Sequence, residues 1–326
     1  MTINSVIPPP DFSAYASCQL CPRRCSVNRL VGELGFCGEG ADCKIAYCGA
    51  HFGEEPPISG SLGSGTIFFS GCSCGCFFCQ NYQISQAHLG EIVDFSELAK
   101  QAMALAKSGV HNLNFVTPEH WWPHIRELCR YLRSNGMEIP FLWNSSGFCH
   151  SELLPEQCKC IDIFLPDFKY ADAALAERCM GRSDYPELAL AGLRMLVERK
   201  GFLRPFDHSG KITASQGVMV RHLLLPGEVE NSLAVLKCLL TEFGEDLPLS
   251  LMRQFTPMPE CEKRQFLNRK VSDEEYAVVC SAAVQMGFHR LFLQEEEDDG
   301  SFLPDFKQSR QPFAGNEVFL KKNKPS

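Results

Sequence analysis

Apolar positions along this chain switch repeatedly between two spacings. Short apolar runs bounded by Gly, Pro, Asn or Ser recur at 67–69, 113–116, 139–143, 161–165, 218–225, 249–252 and 291–293. Runs of this kind read as strands buried on both faces. Between them the spacing widens to three and four. Phe95, Leu98, Ala99, Ala102 and Leu105 share one face of a helix predicted over 95–108, with Asp94 and Glu97 suited to its first turn and Gly109 to its stop. A second helix opens at Pro123, carries Ile125, Leu128, Cys129 and Leu132 on one side, and ends at Gly136. Others are predicted from near Pro186 to Gly201, from near Ser232 to Phe243, and from the capping box Ser272-x-x-Glu275 to Gly287.

Strands alternating with helices imply a parallel sheet with right-handed crossovers. Roughly six repeats over about 230 residues are too few for an eight-fold barrel and suit a partial (β/α)6-type TIM barrel, an α/β fold. A doubly wound sheet fits less well, because no glycine-rich phosphate fingerprint comes after the first strand. Residues 1–65 are rich in Cys, Gly and Pro, lack a sustained period, and read as a metal-stabilised or wrapped N-terminal segment. Residues 66–294 form the repeating core, and 295–326, which begins with Glu295-Glu296-Glu297-Asp298-Asp299, reads as a solvated acidic tail.

The first predicted strand runs directly into a cysteine loop, Cys72-x3-Cys76-x2-Cys79. Three thiolates from one loop can hold three irons of a four-iron cluster and leave the fourth without a protein ligand, whereas ordinary ferredoxin sites use four cysteines. An open position is where a metal site does chemistry. The spacing leaves Cys74 outside this set, and Phe77 and Phe78 would cover the metal. Other polar clusters also fall at predicted strand ends: Thr117-Pro118-Glu119-His120, Asn144-Ser145-Ser146-Gly147, Asp167-Phe168-Lys169 and Leu225-Pro226-Gly227. In parallel α/β folds those loops build the catalytic mouth. His120 reads as a satisfied histidine near a helix start, and Arg221 and His222 could equally brace the barrel rim.

A second set, Cys18-x2-Cys21-x3-Cys25-x11-Cys37, matches a closed structural site, either zinc or an auxiliary iron–sulfur cluster. Cys43 and Cys48 could substitute for one of its ligands. The 18 cysteines in 326 residues accompany no leader-like segment, since residues 1–11 hold Pro8-Pro9-Pro10 and no apolar core. No window approaches the ~18 uninterrupted apolar residues that cross a bilayer. A cytoplasmic, reducing setting is therefore expected, with no membrane association. The net charge of −8 argues against nucleic acid as a partner.

The cysteine loop within a βα series resembles the radical S-adenosylmethionine (SAM) superfamily. Gly53-Glu-Glu-Pro-Pro-Ile-Ser-Gly60, Gly65-Thr-Ile-Phe-Phe-Ser-Gly-Cys72, Cys79-Gln-Asn-Tyr82, Val116-Thr-Pro118, Asp167-Phe-Lys-Tyr170 and Arg221-His-Leu-Leu-Leu-Pro-Gly227 are similar to the pyruvate formate-lyase activating enzyme-like (PflX-like) group. The resemblance implies a [4Fe–4S] cluster on Cys72, Cys76 and Cys79 whose open iron chelates S-adenosylmethionine. It also implies reductive cleavage to a 5′-deoxyadenosyl radical and abstraction of a hydrogen atom. An electron donor such as flavodoxin or ferredoxin is expected, and a protein substrate carrying a glycyl radical is one acceptor; a small molecule or peptide is another. A non-catalytic iron–sulfur carrier is a third reading of the same cysteines. By resemblance, Asp167 and Lys169 contact S-adenosylmethionine, with Asn144, Ser146 and Arg221 as further contacts. The Gly-Gly-Glu that usually receives the methionyl amine is replaced by Thr117-Pro118-Glu119, which leaves Thr117 and Glu119 as alternatives for that role.

Overall fold

A computed structural model describes residues 9–294, 303–308 and 311–313. Among the described residues ten strands form two sheets: β1 (Lys44–His51), β2 (Ser64–Phe69), β3 (Glu91–Ile92), β4 (Leu113–Val116), β5 (Phe141–Ser145), β6 (Ile163–Pro166), β7 (Gly217–Val218), β8 (Val220–Leu223), β9 (Leu249–Met252) and β10 (Leu291–Leu293). The larger sheet runs β3-β1-β2-β4-β5-β6-β7 and the smaller β10-β9-β8. From β2 to β7, and again from β8 to β10, neighbours are parallel. A parallel bridge between Asp167 and Arg221, with the Phe168 amide donating to the Arg221 carbonyl at 2.8 Å, carries β6 over to β8 and joins the two sheets. The result is the expected partial barrel. Every residue of β2, β4 and β6 is buried, as strands covered on both faces require.

Local chemistry explains most of the element ends. Asp94 accepts from the Glu97 amide and starts the helix Phe95–Lys107, while Ser272 and Glu275 complete a capping box at the head of Asp273–Gln285. Pro123 sits in the first turn of Trp122–Ser134, and Gly201, at φ +67°, stops Tyr185–Lys200.

Several expectations shift. The run 139–143 becomes β5, two residues later, because Pro140 has no amide hydrogen to give and meets the sheet only through its carbonyl, which accepts from Leu113. Ile161 is not in a strand; its amide caps the helix Leu154–Cys160 through the Gln157 carbonyl at 2.9 Å. The single strand expected over 218–225 is split into β7 and β8, since residues 217–219 pair with β6 and 220–223 pair with β9. The helix expected from Ser232 begins at Val229.

The N-terminal segment departs most from expectation. β1 lies antiparallel on β2, from Ile45 opposite Phe69 to His51 opposite Ser64, with a bulge between Ile45 and Tyr47. The sheet therefore begins before residue 66. The acidic run 295–299 lies outside the described residues, but part of the C-terminal stretch packs on the body: Phe306 and Phe313 meet Phe68 with ring centroids 5.3 and 5.4 Å away. Among the described residues no helix is long and apolar enough to cross a membrane.

Candidate functional site

The cysteine loop leaves the carboxyl end of β2, beside the carboxyl ends of β4, β5 and β6. It is pinned from three sides. The Ser70 carbonyl accepts from His120 Nε2 at 2.7 Å and Trp121 Nε1 at 2.9 Å. Arg23 reaches in from the N-terminal segment and donates to the carbonyls of Ser73 (2.9 Å), Cys74 (3.0 Å) and Met180 (2.8 Å). Gly71, at φ +81°, lies so close to its surroundings that a Cβ would sit 2.8 Å from the Cys37 carbonyl and 2.5 Å from Glu39 Cγ. Gly75, at φ +65°, is likewise covered by the Phe36 ring.

Donors converge on the sulfurs. The Cys74 amide approaches Cys72 Sγ at 3.3 Å, Ser85 Oγ donates to Cys79 Sγ at 3.3 Å, and the Tyr170 hydroxyl lies 3.9 Å from Cys76 Sγ. Hydrogen bonding to Cys74 holds the Cys72 thiol down at about 7 and also lowers Cys76, whereas burial pushes Cys79 up to about 12. Cys74, set aside on spacing, is buried against both Cys72 and Cys76, and its own thiol is driven up by hydrogen bonds to them. Phe77 and Phe78 cover the loop, packing on Phe266 and Phe255 with ring centroids 6.0 and 5.6 Å apart.

A cavity of about 760 Å³ opens beside the loop. Cys76, Cys79, Asn144, Asp167, Lys169 and Arg221 line it together. Asp167 and Lys169 form an ion pair with each other. Burial opposes the Lys169 charge, but Asp167 and the neighbouring thiols hold its pKa well above the ordinary lysine value. Thr117 and Ser146 are not among the lining residues. Thr117 takes up φ +55°, and Ser146 is engaged by Glu119, whose Oε1 accepts from the Ser146 amide at 3.1 Å and hydroxyl at 3.0 Å. Glu119 is buried, which raises its pKa, and its Oε2 has no partner among the described residues.

Two residues with no role assigned from sequence dominate the opposite wall. Glu54 and Glu55 both pair with Arg221, and all three are buried. Burial works against the Glu54 charge, yet Arg221 outweighs it and lowers the carboxyl pKa. Glu54 also accepts from Asn114 at 2.8 Å and Asn144 at 3.5 Å. In the sequence the pair shows only as two adjacent acids before Pro56-Pro57, with nothing to link them to Arg221. His222 is satisfied, between the Phe168 carbonyl (2.8 Å) and Ser232 (2.9 Å), whereas His120, expected to be satisfied, holds the Ser70 carbonyl through Nε2 and leaves its buried Nδ1 without a partner among the described residues.

The N-terminal cysteines form a second cluster of thiols against this loop. Cys18, Cys21 and Cys37 are buried and Cys25 is half-buried. Burial pushes Cys21 up to about 12, and the nearby Cys37, Cys18 and Cys25 thiols push it in the same direction.

Residues 60–182 match a family described as a 4Fe-4S single cluster domain, which contains the cysteine loop and supports an iron–sulfur cluster there. An uncharacterized protein of Methanocaldococcus jannaschii is 26% identical over 270 residues, 80% of this chain and 72% of its own. Among solved structures, SuiB of Streptococcus suis bound to S-adenosylmethionine aligns over 69% of this chain and 48% of its own, at 10% identity and TM-score 0.47. This chain thus spans about half the length of SuiB. A domain of a pyruvate-formate lyase-activating enzyme from Bacteroides vulgatus aligns over 53% of this chain and 92% of its own, at 14% identity and TM-score 0.36. Taken with the partial parallel barrel and a three-cysteine loop at the end of its first parallel strand, the family match supports a [4Fe–4S] cluster held by that loop.

Proposed function

We propose that this protein is a radical S-adenosylmethionine enzyme in which Cys72, Cys76 and Cys79 ligate a [4Fe–4S] cluster and S-adenosylmethionine occupies the adjoining cavity. The observation that carries this reading is the sharing of one cavity by Cys76, Cys79, Asn144 and the Asp167–Lys169 pair. A reduced cluster, when bound, supplies the electron that cleaves the sulfonium and releases the 5′-deoxyadenosyl radical. The chain's own residues do the binding and shielding. Lys169 is charged and faces the cavity, so it can pair with the methionyl carboxylate, while Asp167 accepts from the ribose or the amine. Asn144 adds a hydrogen bond from the end of β5. Phe78, with Phe77 behind it, keeps water from the thiolates. Arg221 is already neutralised by Glu54 and Glu55, so its role is to brace the wall rather than to hold the carboxylate.

For the hydrogen atom we favour a glycine of a partner enzyme, on the motif resemblance to pyruvate formate-lyase activating enzymes. The test has two stages. Anaerobically reconstituted protein given dithionite and S-adenosylmethionine should form 5′-deoxyadenosine. Cys72→Ala, Cys76→Ala and Cys79→Ala should each abolish it, while Cys74→Ala should keep most of it. No product above the Cys76→Ala background would leave an iron–sulfur carrier as the better description. Incubation with candidate glycyl-radical partners should then produce a doublet by EPR; turnover without any such doublet would favour a small-molecule or peptide acceptor.

A further inference from the structure

We infer that Cys18, Cys21, Cys25 and Cys37 hold a second [4Fe–4S] cluster with every iron ligated, and that Arg29 is its buried counter-charge. Each of the four sulfurs has a donor directed at it. Phe36 gives its amide to Cys25 Sγ at 3.3 Å, the amides of Arg23 and Glu39 lie against Cys21 and Cys37, and Arg29 Nη1 stands 4.0 Å from Cys18 Sγ. Donors of this kind stabilise thiolates and tune cluster potentials. The backbone is shaped to the same end. Cys18 and Val27 pair at 2.9 Å, folding the turn back on itself, and Arg24 and Ser26 on either side of Cys25 both take left-handed conformations, at φ +43° and +57°. Left-handed residues other than glycine persist where their surroundings over-determine them.

Arg29 supplies an independent argument. Its side chain is 1% exposed, sandwiched between the Tyr15 and Trp121 rings at 4.3 and 4.8 Å, and it pairs with no carboxylate among the described residues. Its guanidinium donates only to carbonyls, Gly40 at 3.0 and 2.6 Å and His120 at 2.6 Å, besides the Cys18 sulfur. A buried cation without an anion is strongly unfavourable. A four-thiolate cluster is anionic and would lie beside it.

Spacing leaves zinc and a cluster open, and the neighbourhood favours the cluster. With no open iron, the second cluster can store or pass an electron but cannot bind substrate. It abuts the first through the Cys37 carbonyl at Gly71 and through Arg23 on Ser73 and Cys74.

The site does not depend on the catalytic reading, and metal counting tests it directly. Full-length protein reconstituted without oxygen should hold roughly eight irons per chain and no stoichiometric zinc, and the Cys72→Ala/Cys76→Ala/Cys79→Ala variant should keep roughly four, whatever the S-adenosylmethionine assay returns. Roughly four irons in the unsubstituted chain, or four with one zinc, would overturn the inference, and that measurement needs no variant to fold. In an EPR-monitored redox titration, Arg29→Gln should move one cluster to lower potential and leave the other unchanged, with Arg29→Lys restoring it in part. Identical potentials in Arg29→Gln and the unsubstituted chain would remove Arg29 from the site.

Discussion

At the scale of single residues, the cavity is defined by how its charges are already paired. Arg221 answers two buried carboxylates, so its loss leaves Glu54 and Glu55 facing each other without a cation. Arg221→Met should destabilise the protein by about 3–5 kcal/mol, the usual cost of breaking a buried ion pair by removing one partner. Urea unfolding would read it, and a midpoint equal to that of the unsubstituted chain would show that the acids are protonated or hydrated instead. Lys169 differs, because it lines the cavity with one acid beside it. Lys169→Ala should weaken S-adenosylmethionine binding by about 1–3 kcal/mol, a lost charged hydrogen bond, by calorimetry on the reconstituted protein. An unchanged dissociation constant would assign it to the wall and not to the ligand.

At the scale of elements, what could be read from the sequence and what could not divide along physical lines. Strands buried on both faces and long amphipathic helices are legible because burial imposes their spacing; 113–116, 249–252 and 291–293 match β4, β9 and β10 residue for residue. Short helices such as Ala173–Met180 are not, since eight residues give the period too little length to repeat. β1 is hidden for another reason. Its burial is decided by β2 lying beside it, and its Gly49 and Ala50 dilute any apolar alternation. Within the site, Cys72, Cys76, Cys79, Asn144, Asp167, Lys169 and Arg221 are all legible as candidates because they lie at or just beyond strand ends or on a strand beside them. The Glu54–Glu55–Arg221 arrangement is not, since it joins residues far apart in the chain. Loop placement also makes Gly71 critical. Gly71→Ala would demand a left-handed alanine and a Cβ against the Cys37 carbonyl. It should cost about 2 kcal/mol or more and reduce the iron retained on reconstitution, measured by thermal unfolding and iron assay. Full iron content at unchanged stability would mean the N-terminal segment is not clamped on the loop.

At the scale of the whole molecule, three buried histidines couple stability to pH. Burial lowers His120 and His124 to about 3 and His222 to about 4. All three are neutral in the fold and protonate in the unfolded chain near pH 6.5, so their contribution is present above that pH and is lost as pH falls towards their folded values. The free energy of unfolding should drop by about 1.4 kcal/mol per pH unit for each histidine between about pH 6.5 and 4. Urea midpoints taken across that range would reveal it, and a flat profile would show that these rings are hydrated. A barrel left unclosed has two raw flanks, and unpaired backbone along a flank is a template for a neighbouring molecule's chain. Here the first parallel strand is sheathed by β1, β1 in turn meets β3 only at Lys44 and Ile45, and the far rim is the three-residue Leu291–Leu293. A rim that short gives a neighbouring strand little length to grow from on that side.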